Sequence, residues 1–258
     1  MKNMGLFFNE LNKVYDCNLT KIRIGNQHDG GYIALKEICE KTKIGYSFGI
    51  GDDIGFEMDF IKRFPNSTIE CFDPTIESLP NYSDKNLTFK KLGPNSLNKI
   101  EDNSLLKMDI EGCEWDAITG SAEMFNIMNL RKFNQILIEI HLLHVEPRKT
   151  KSDYFNDMYQ RFADAVNESL FNNYYRALKS LNHFFYIFHI HPNNSLPKIS
   201  IGEYKFPPLI ELSFVRKDLV DTIYETHTNF PVDGLDSPNK TDRMDIFNFY
   251  PIGDKIDE

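Results

Sequence analysis

The stretch YSFGIGDDIGFE, from Tyr46 to Glu57, constrains the fold more than any other part of this chain. An apolar run ends in glycines at 49 and 51, two aspartates follow, and a helical pattern opens near Gly55. Many folds hold a nucleotide on a strand, a glycine turn and a helix in that order. Glycine there lets the backbone turn sharply and pass close beneath a ligand. The dinucleotide fingerprint G-x-G-x-x-G would need glycine at 54, where this chain has Ile54. About twenty residues on, IECFDP carries Asp73, and an acid at the end of the second strand is placed to accept hydrogen bonds from ribose hydroxyls. Turn and acid together point to an adenosine-type cofactor and leave NAD and S-adenosylmethionine both open.

Around this turn, apolar runs alternate with helical spacing, the pattern of an α/β sheet layered with helices. Strands are predicted at 45–50, 68–72, 87–91, 104–109, 135–141, 183–191 and 207–215, and helices over 4–16, 55–63 and 114–128. HDGGYIAL reads as a turn leading into a short strand. Beyond residue 141, Phe155, Met158, Phe162, Val166 and Leu170 recur every three to four residues, as on an amphipathic helix. Residues 145–170 are therefore read as a helical insertion before the last two strands. Residues from about 220 to 258, rich in Pro, Asp, Asn and Gly, read as a C-terminal tail, so that 1–258 form one domain.

A formal charge of −9 without a Lys/Arg block argues against nonspecific nucleic-acid binding. No stretch approaches the roughly 20 apolar residues of a membrane span, and the N-terminal apolar run is too short for a signal-peptide core. The chain is accordingly read as cytoplasmic. Cys17, Cys39, Cys71 and Cys113 are scattered without a C-x-x-C pair, which suggests neither a disulfide framework nor a zinc knuckle.

The most specific stretch is LLKMDIEGCEWDAI, residues 105–118. Met108 and Ile110 alternate with Asp109 and Glu111, which puts both acids on one face at the end of a strand before Gly112 turns the chain. KMDIEGCEW resembles the K-M/I-D-I-E-G-x-E-W signature of FkbM-type S-adenosylmethionine-dependent methyltransferases. RIGNQHDGGYIAL (23–35), YSFGIGDDIGFE, IEIH (138–141), FHIHPNN (188–194) and PPLIELSFVRKD (207–218) extend the resemblance over about residues 20–220. The resemblance implies a Rossmann-like, doubly wound, seven-stranded sheet of the class I methyltransferase kind. S-adenosyl-L-methionine would lie across the C-terminal edges of its first strands. It implies Gly49 and Gly51 beneath the methionine part and Asp73 at the ribose. Glu57 would stand at the first turn of the following helix, Asp109 beside the cofactor, and Asp29 and Tyr32 near its amino-acid end or the substrate.

In ILIEIHLLH, Glu139 and His141 alternate with isoleucines, and in HFFYIFHIH, His189 and His191 share a face. If these are neighbouring inner strands, Asp109, Glu139, His141, His189 and His191 converge at one sheet edge, where burial without partners is costly. Two chemistries follow. A histidine base can take the proton of an attacking hydroxyl near neutral pH. Alternatively, Asp109, Glu139, His141 and His189 hold a divalent metal, Mg2+ or Mn2+, that binds the acceptor's oxygens. His144 and His183 are read as bystanders, and Trp115 as packing its helix against the sheet.

The combined expectation is an S-adenosylmethionine-dependent O-methyltransferase acting on a small polar acceptor, such as a nucleotide-linked or capsule-type sugar. Arg148, Lys149 and Lys151 are available for a diphosphate. A homo-oligomer is left open. The first alternative is an NAD-dependent sugar-modifying oxidoreductase. It draws on Tyr175 and Lys179, which match the Y-x-x-x-K pair of short-chain dehydrogenases at a spacing common by chance in amphipathic helices. The second is a non-catalytic cofactor-binding subunit.

Overall fold

Phe133–His141 is buried along all nine residues, so this strand has both faces covered and sits inside a sheet with layers on each side. The computed structural model describes residues 2–80, 84–97, 99–119, 127–142, 168–201, 204–226 and 230–246. Its strands are β1 Tyr15–Cys17, β2 Lys21–Gly25, β3 Gly31–Leu35, β4 Ile44–Phe48, β5 Thr68–Phe72, β6 Leu87–Lys90 and β7 Ser104–Met108. They continue as β8 Phe133–His141, β9 Phe185–Pro192, β10 Ile199–Ile201, β11 Tyr204–Phe206, β12 Leu209–Arg216 and β13 Ile223–Glu225. The helices are α1 Lys2–Leu11, α2 Lys36–Cys39, α3 Gly55–Arg63, α4 Glu114–Thr119, α5 Ile127–Leu130 and α6 Glu168–Phe184.

Seven strands form the main sheet in the order β6-β5-β4-β7-β8-β12-β9. Strands β4 to β8 pair in parallel, and β12 runs antiparallel to both β8 and β9. From β4 the chain moves outward to β5 and β6, then returns to β7 on the other side of β4. That reversal leaves a crevice beyond the C-terminal end of β4, the place where open α/β sheets bind ligands.

Strand alternation divides the core into two layers. Leu106 and Met108 of β7 and Ile136, Ile138 and Ile140 of β8 pack with Phe7, Phe8, Trp115, Phe171 and Tyr174 from α1, α4 and α6. Leu105 and Leu137 face the opposite layer with Phe56 and Phe60 of α3 and Ile24 and Tyr32 of the β2–β3 hairpin. Trp115 stacks on Tyr174 at 4.3 Å and donates its indole N–H to the carbonyl of His141, fastening α4 to the end of β8 as expected.

Several boundaries differ from the sequence reading. The first helix ends at Leu11, and β1 follows at Tyr15 to pair with β13, so the segment read as a tail begins with a strand. Helix α4 is described over Glu114–Thr119, with 120–126 of the expected helix outside the described residues, and α6 runs through Phe184 before β9 begins. Residues 145–167 of the expected insertion, with His144, Arg148, Lys149 and Lys151, lie outside the described residues. Among those described, no helix is long and apolar enough to cross a membrane.

Candidate active site

Glycine is required at two points of the loop after β4 for different reasons. Gly49 has φ 77°, and a Cβ there would lie 1.5 Å from the Asp109 carbonyl oxygen, because the ends of β4 and β7 press together. Gly51 has φ 56° and nothing within 4 Å of where its Cβ would be. At this position the backbone faces open space.

That space is a cavity of about 580 Å3. The loop from Phe48 to Asp53, the end of β5 from Phe72 to Thr75, the segment Leu92–Pro94 and the turn Asp109–Glu111 line it, with Asp29, Glu57 and Lys107. The rings of Phe48 and Phe72 stack at 4.6 Å. Asp73 is buried in the wall. One of its carboxylate oxygens accepts the N–H groups of Ile50 and Gly51, and the other accepts the N–H and hydroxyl of Thr75. Burial alone would raise its pKa, but these hydrogen bonds outweigh it and hold Asp73 below the ordinary carboxylate value. Glu57 is buried and accepts from the Ser47 hydroxyl, and desolvation pushes its carboxyl up against the opposing charge of Lys107. Asp29 is exposed at the rim, 3.5 Å from the Lys240 ammonium.

Asp109 joins this cavity to a polar cluster. Its Oδ2 accepts the Tyr32 hydroxyl at 3.2 Å; Tyr32 itself is buried and lies outside the cavity wall. Asp109, Glu139 and His141 each bring one ligand atom into a group whose members all lie within 4.8 Å of one another. His141 Nδ1 is 3.1 Å from Glu114 Oε1, and its Nε2 is 3.5 Å from Glu111 and 3.7 Å from Glu139. Burial alone would lower the imidazole's pKa, but Glu111, Glu114 and Glu139 push it up to about 11. The surrounding carboxylates thus favour the protonated imidazole. Desolvation raises Asp109, and desolvation with the Asp109 charge raises Glu139 well above the ordinary value.

The expected convergence holds for these three residues and fails for His189 and His191. His189 is buried, with Nε2 2.8 Å from Asp236 and its ring edge on Phe230. His191 Nδ1 meets Glu211 at 3.1 Å, and its Nε2 is 3.7 Å from Asp245. Neither histidine lines the cavity, and His189 does not join the three-residue group among the described residues. The reason is register: His189 pairs across from Ser213 and His191 from Glu211, so β12 separates both from β8, and the segment 230–246 covers them.

The polypeptide matches the methyltransferase FkbM domain over residues 9–174. The chain belongs to the FkbM methyltransferase family. The FkbM assignment agrees with the sheet, an α/β Rossmann-like arrangement of the class I methyltransferase kind. No curated protein sequence matches the chain. Among solved structures, it resembles a Listeria monocytogenes protein described as an S-adenosylmethionine-dependent methyltransferase, at 12% identity over 70% of this chain and 94% of that one, with a TM-score of 0.40. It also resembles the fibrillarin pre-rRNA processing protein of Methanococcus jannaschii, at 10% identity over 69% of this chain and 68% of that one, TM-score 0.35. A Thermoplasma acidophilum protein described as a methyltransferase matches at 8% identity over 68% of this chain and 69% of that one, TM-score 0.34.

FkbM-domain enzymes use S-adenosylmethionine, and the cavity suits it. Gly51 opens a cradle that any side chain would begin to fill, and Leu92 and Pro94 offer apolar surface over the buried Phe48 and Phe72. Tyr175 and Lys179, by contrast, bond to each other at 2.9 Å on α6 and do not line the cavity. Lys107 and Glu114 escaped the sequence reading of this site, and Glu111 was read only as sharing a strand face with Asp109. Lys107 donates to the Gly49 carbonyl at 2.8 Å and stands over the Tyr32 ring. A lysine alone among the apolar residues of a fully buried strand was the available signal. Glu111 and Glu114 flank His141. Glu114, wholly buried at the start of α4, also accepts the N–H groups of Ile110 and Gly112 and so shapes the turn. Strand alternation does not place Glu111, because β7 ends at Met108 and Glu111 takes a left-handed φ of 55°.

Proposed function

We propose that the protein transfers a methyl group from S-adenosylmethionine to a hydroxyl of a small polar acceptor, with a nucleotide-linked or capsule-type sugar as the substrate class. The observation that carries this reading is the double membership of Asp109. It forms part of the cavity wall and part of the group with Glu139 and His141, so the polar cluster adjoins the place where the donor fits. Gly49 and Gly51 would hold the donor's methionine part, Asp73 its ribose side, and Glu57 and Asp29 the adjoining walls. S-adenosylmethionine supplies an electrophilic methyl group when bound.

Everything else falls to the chain. A hydroxyl must release its proton as its oxygen takes the methyl group. The carboxylates of Asp109 and Glu139 and the imidazole of His141 stand beside that point. Holding the two reacting atoms in line is worth about 7–11 kcal/mol, which makes the rigid floor of β4, β7 and β8 the larger contribution. Asn193, which donates to Glu139 at 3.0 Å, keeps that carboxylate turned into the site.

The test is transfer of labelled methyl from S-adenosylmethionine to a panel of nucleotide sugars and free polyols. Methylation of a hydroxyl supports the reading. Labelling only of a nitrogen or carbon acceptor would contradict it.

A further inference from the structure

We propose that Asp109, Glu139 and His141, completed by Glu111, bind a hard divalent cation of the Mg2+/Mn2+ class that holds the acceptor's oxygens. The inference rests on the methyltransferase reading above and names the cofactor that the polar cluster would need.

Spacing is the first argument. His141 Nε2 lies 3.5 Å from Glu111 Oε2 and 3.7 Å from Glu139 Oε1. Both distances exceed those of a good hydrogen bond. Ligand atoms around an octahedral cation at about 2.1 Å stand about 3.0 Å apart when adjacent and about 4.2 Å apart when opposite. Both measured separations fall between these limits. The largest separation within the Asp109–Glu139–His141 group is no more than 4.8 Å, so shifts of a few tenths of an ångström would bring the three onto one ion.

The second argument concerns Glu139 itself. It is only 6% exposed, Asn193 donates to its Oε2, and its Oε1 faces His141 Nε2 at 3.7 Å. A carboxylate this deeply placed gives up most of its hydration, and a cation beside it compensates that loss.

The third is the orientation of His141. Its Nδ1 faces Glu114, a wholly buried carboxylate that also holds two backbone N–H groups. A carboxylate behind an imidazole fixes which ring nitrogen is offered in front, and this arrangement recurs behind metal-bound histidines. Here Nε2 is offered, on the side of Glu111 and Glu139. Coordination uses the Nε2 lone pair, so any proton on that atom leaves to solvent.

Three carboxylates and one imidazole form an oxygen-rich set that suits Mg2+ or Mn2+. Four protein ligands leave positions for two oxygens of a polyol, where a bound hydroxyl loses its proton more readily. Glu111, exposed and lining the cavity, is the ligand nearest the incoming acceptor.

The test is titration of the full chain with Mn2+ after chelator treatment, followed by the ion's paramagnetic resonance signal, with S-adenosylhomocysteine binding measured on the same samples. One Mn2+ per chain, displaced by Mg2+ and weakened about tenfold or more in Glu139→Gln while S-adenosylhomocysteine binding persists, is expected. Glu111→Gln should weaken Mn2+ about threefold or more by the same reasoning. Wild-type protein that binds S-adenosylhomocysteine but no Mn2+, or binds Mn2+ equally well as Glu139→Gln, overturns the cation site and identifies the cluster as an internal ion pair. Mn2+ binding that depends on Glu139 without any S-adenosylhomocysteine binding keeps the cation site and removes the donor reading.

Discussion

The Asp73 carboxylate accepts the backbone N–H of Gly51 at 2.8 Å. With the bond from Ile50 to the same oxygen, this ties the end of β5 to the loop that shapes the donor cavity. Both oxygens already accept two hydrogen bonds, so Asp73 acts on a ligand mainly by fixing the glycine loop. Asp73→Asn replaces one acceptor oxygen with a donor and faces N–H against N–H on one side. Hydrogen bonds to a charged group are worth about 1.5–3 kcal/mol, so a clear fall in the urea midpoint is expected. S-adenosylhomocysteine affinity should fall about tenfold, as read by calorimetry.

The two glycines of the loop should fail differently. Gly49→Ala puts a methyl 1.5 Å from a backbone oxygen, which no side-chain movement can relieve, and should yield little folded protein. Gly51→Ala costs about 1–2 kcal/mol for its left-handed backbone and otherwise meets nothing. It should fold, with a modest fall in Tm, yet lose donor binding because the methyl enters the cavity. Thermal melts and cofactor titrations of the pair decide this, and retained binding in Gly51→Ala would place the donor elsewhere.

Stability at high pH should depend on His191. Burial alone would lower its pKa, but Glu211, Asp245 and Asp236 push it up to about 10. The folded state thus holds this proton more tightly than the unfolded chain, whose imidazole has the ordinary value of 6.5. The contribution is complete below that value and is lost as pH rises through about 10. Urea midpoints at pH 7 and pH 10 should therefore fall further in the wild type than in His191→Gln. Equal losses would show that the imidazole is not charged in the folded protein.

Asp236 fastens the segment after β13 to the sheet. It bonds to His189 at 2.8 Å and accepts the Val232 N–H at 2.7 Å. Asp236→Ala leaves a buried imidazole unpaired, at a cost of about 1–3 kcal/mol. Hydrogen exchange should quicken across residues 230–246 before it changes in β8, and uniform quickening would mean the contact is part of the global core.

Much of the fold was legible because strand periodicity and glycine chemistry are local properties. The runs at 68–72 and 55–63 kept their bounds, and the glycine loop, Asp73 and Asp109 all came to line the cavity. The site was legible where one strand or turn supplies the residue. It was not where distant segments meet. The positions of His189 and His191 depend on the pairing of β9 with β12, and on Asp236, Asn239 and Asp245 from a stretch that reads as loop by composition. Glu114 looks like a helix-start acid in sequence. Its role comes from the fold, which brings His141 to it from 27 residues away.

The most direct test of the donor cavity is calorimetric titration of the wild-type chain with S-adenosylhomocysteine and, separately, with NAD. One S-adenosylhomocysteine bound per chain, with no heat from NAD, is the predicted result. NAD binding in its place, or no binding of S-adenosylhomocysteine at millimolar concentration, would contradict the account of the Gly49–Asp73–Asp109 cavity.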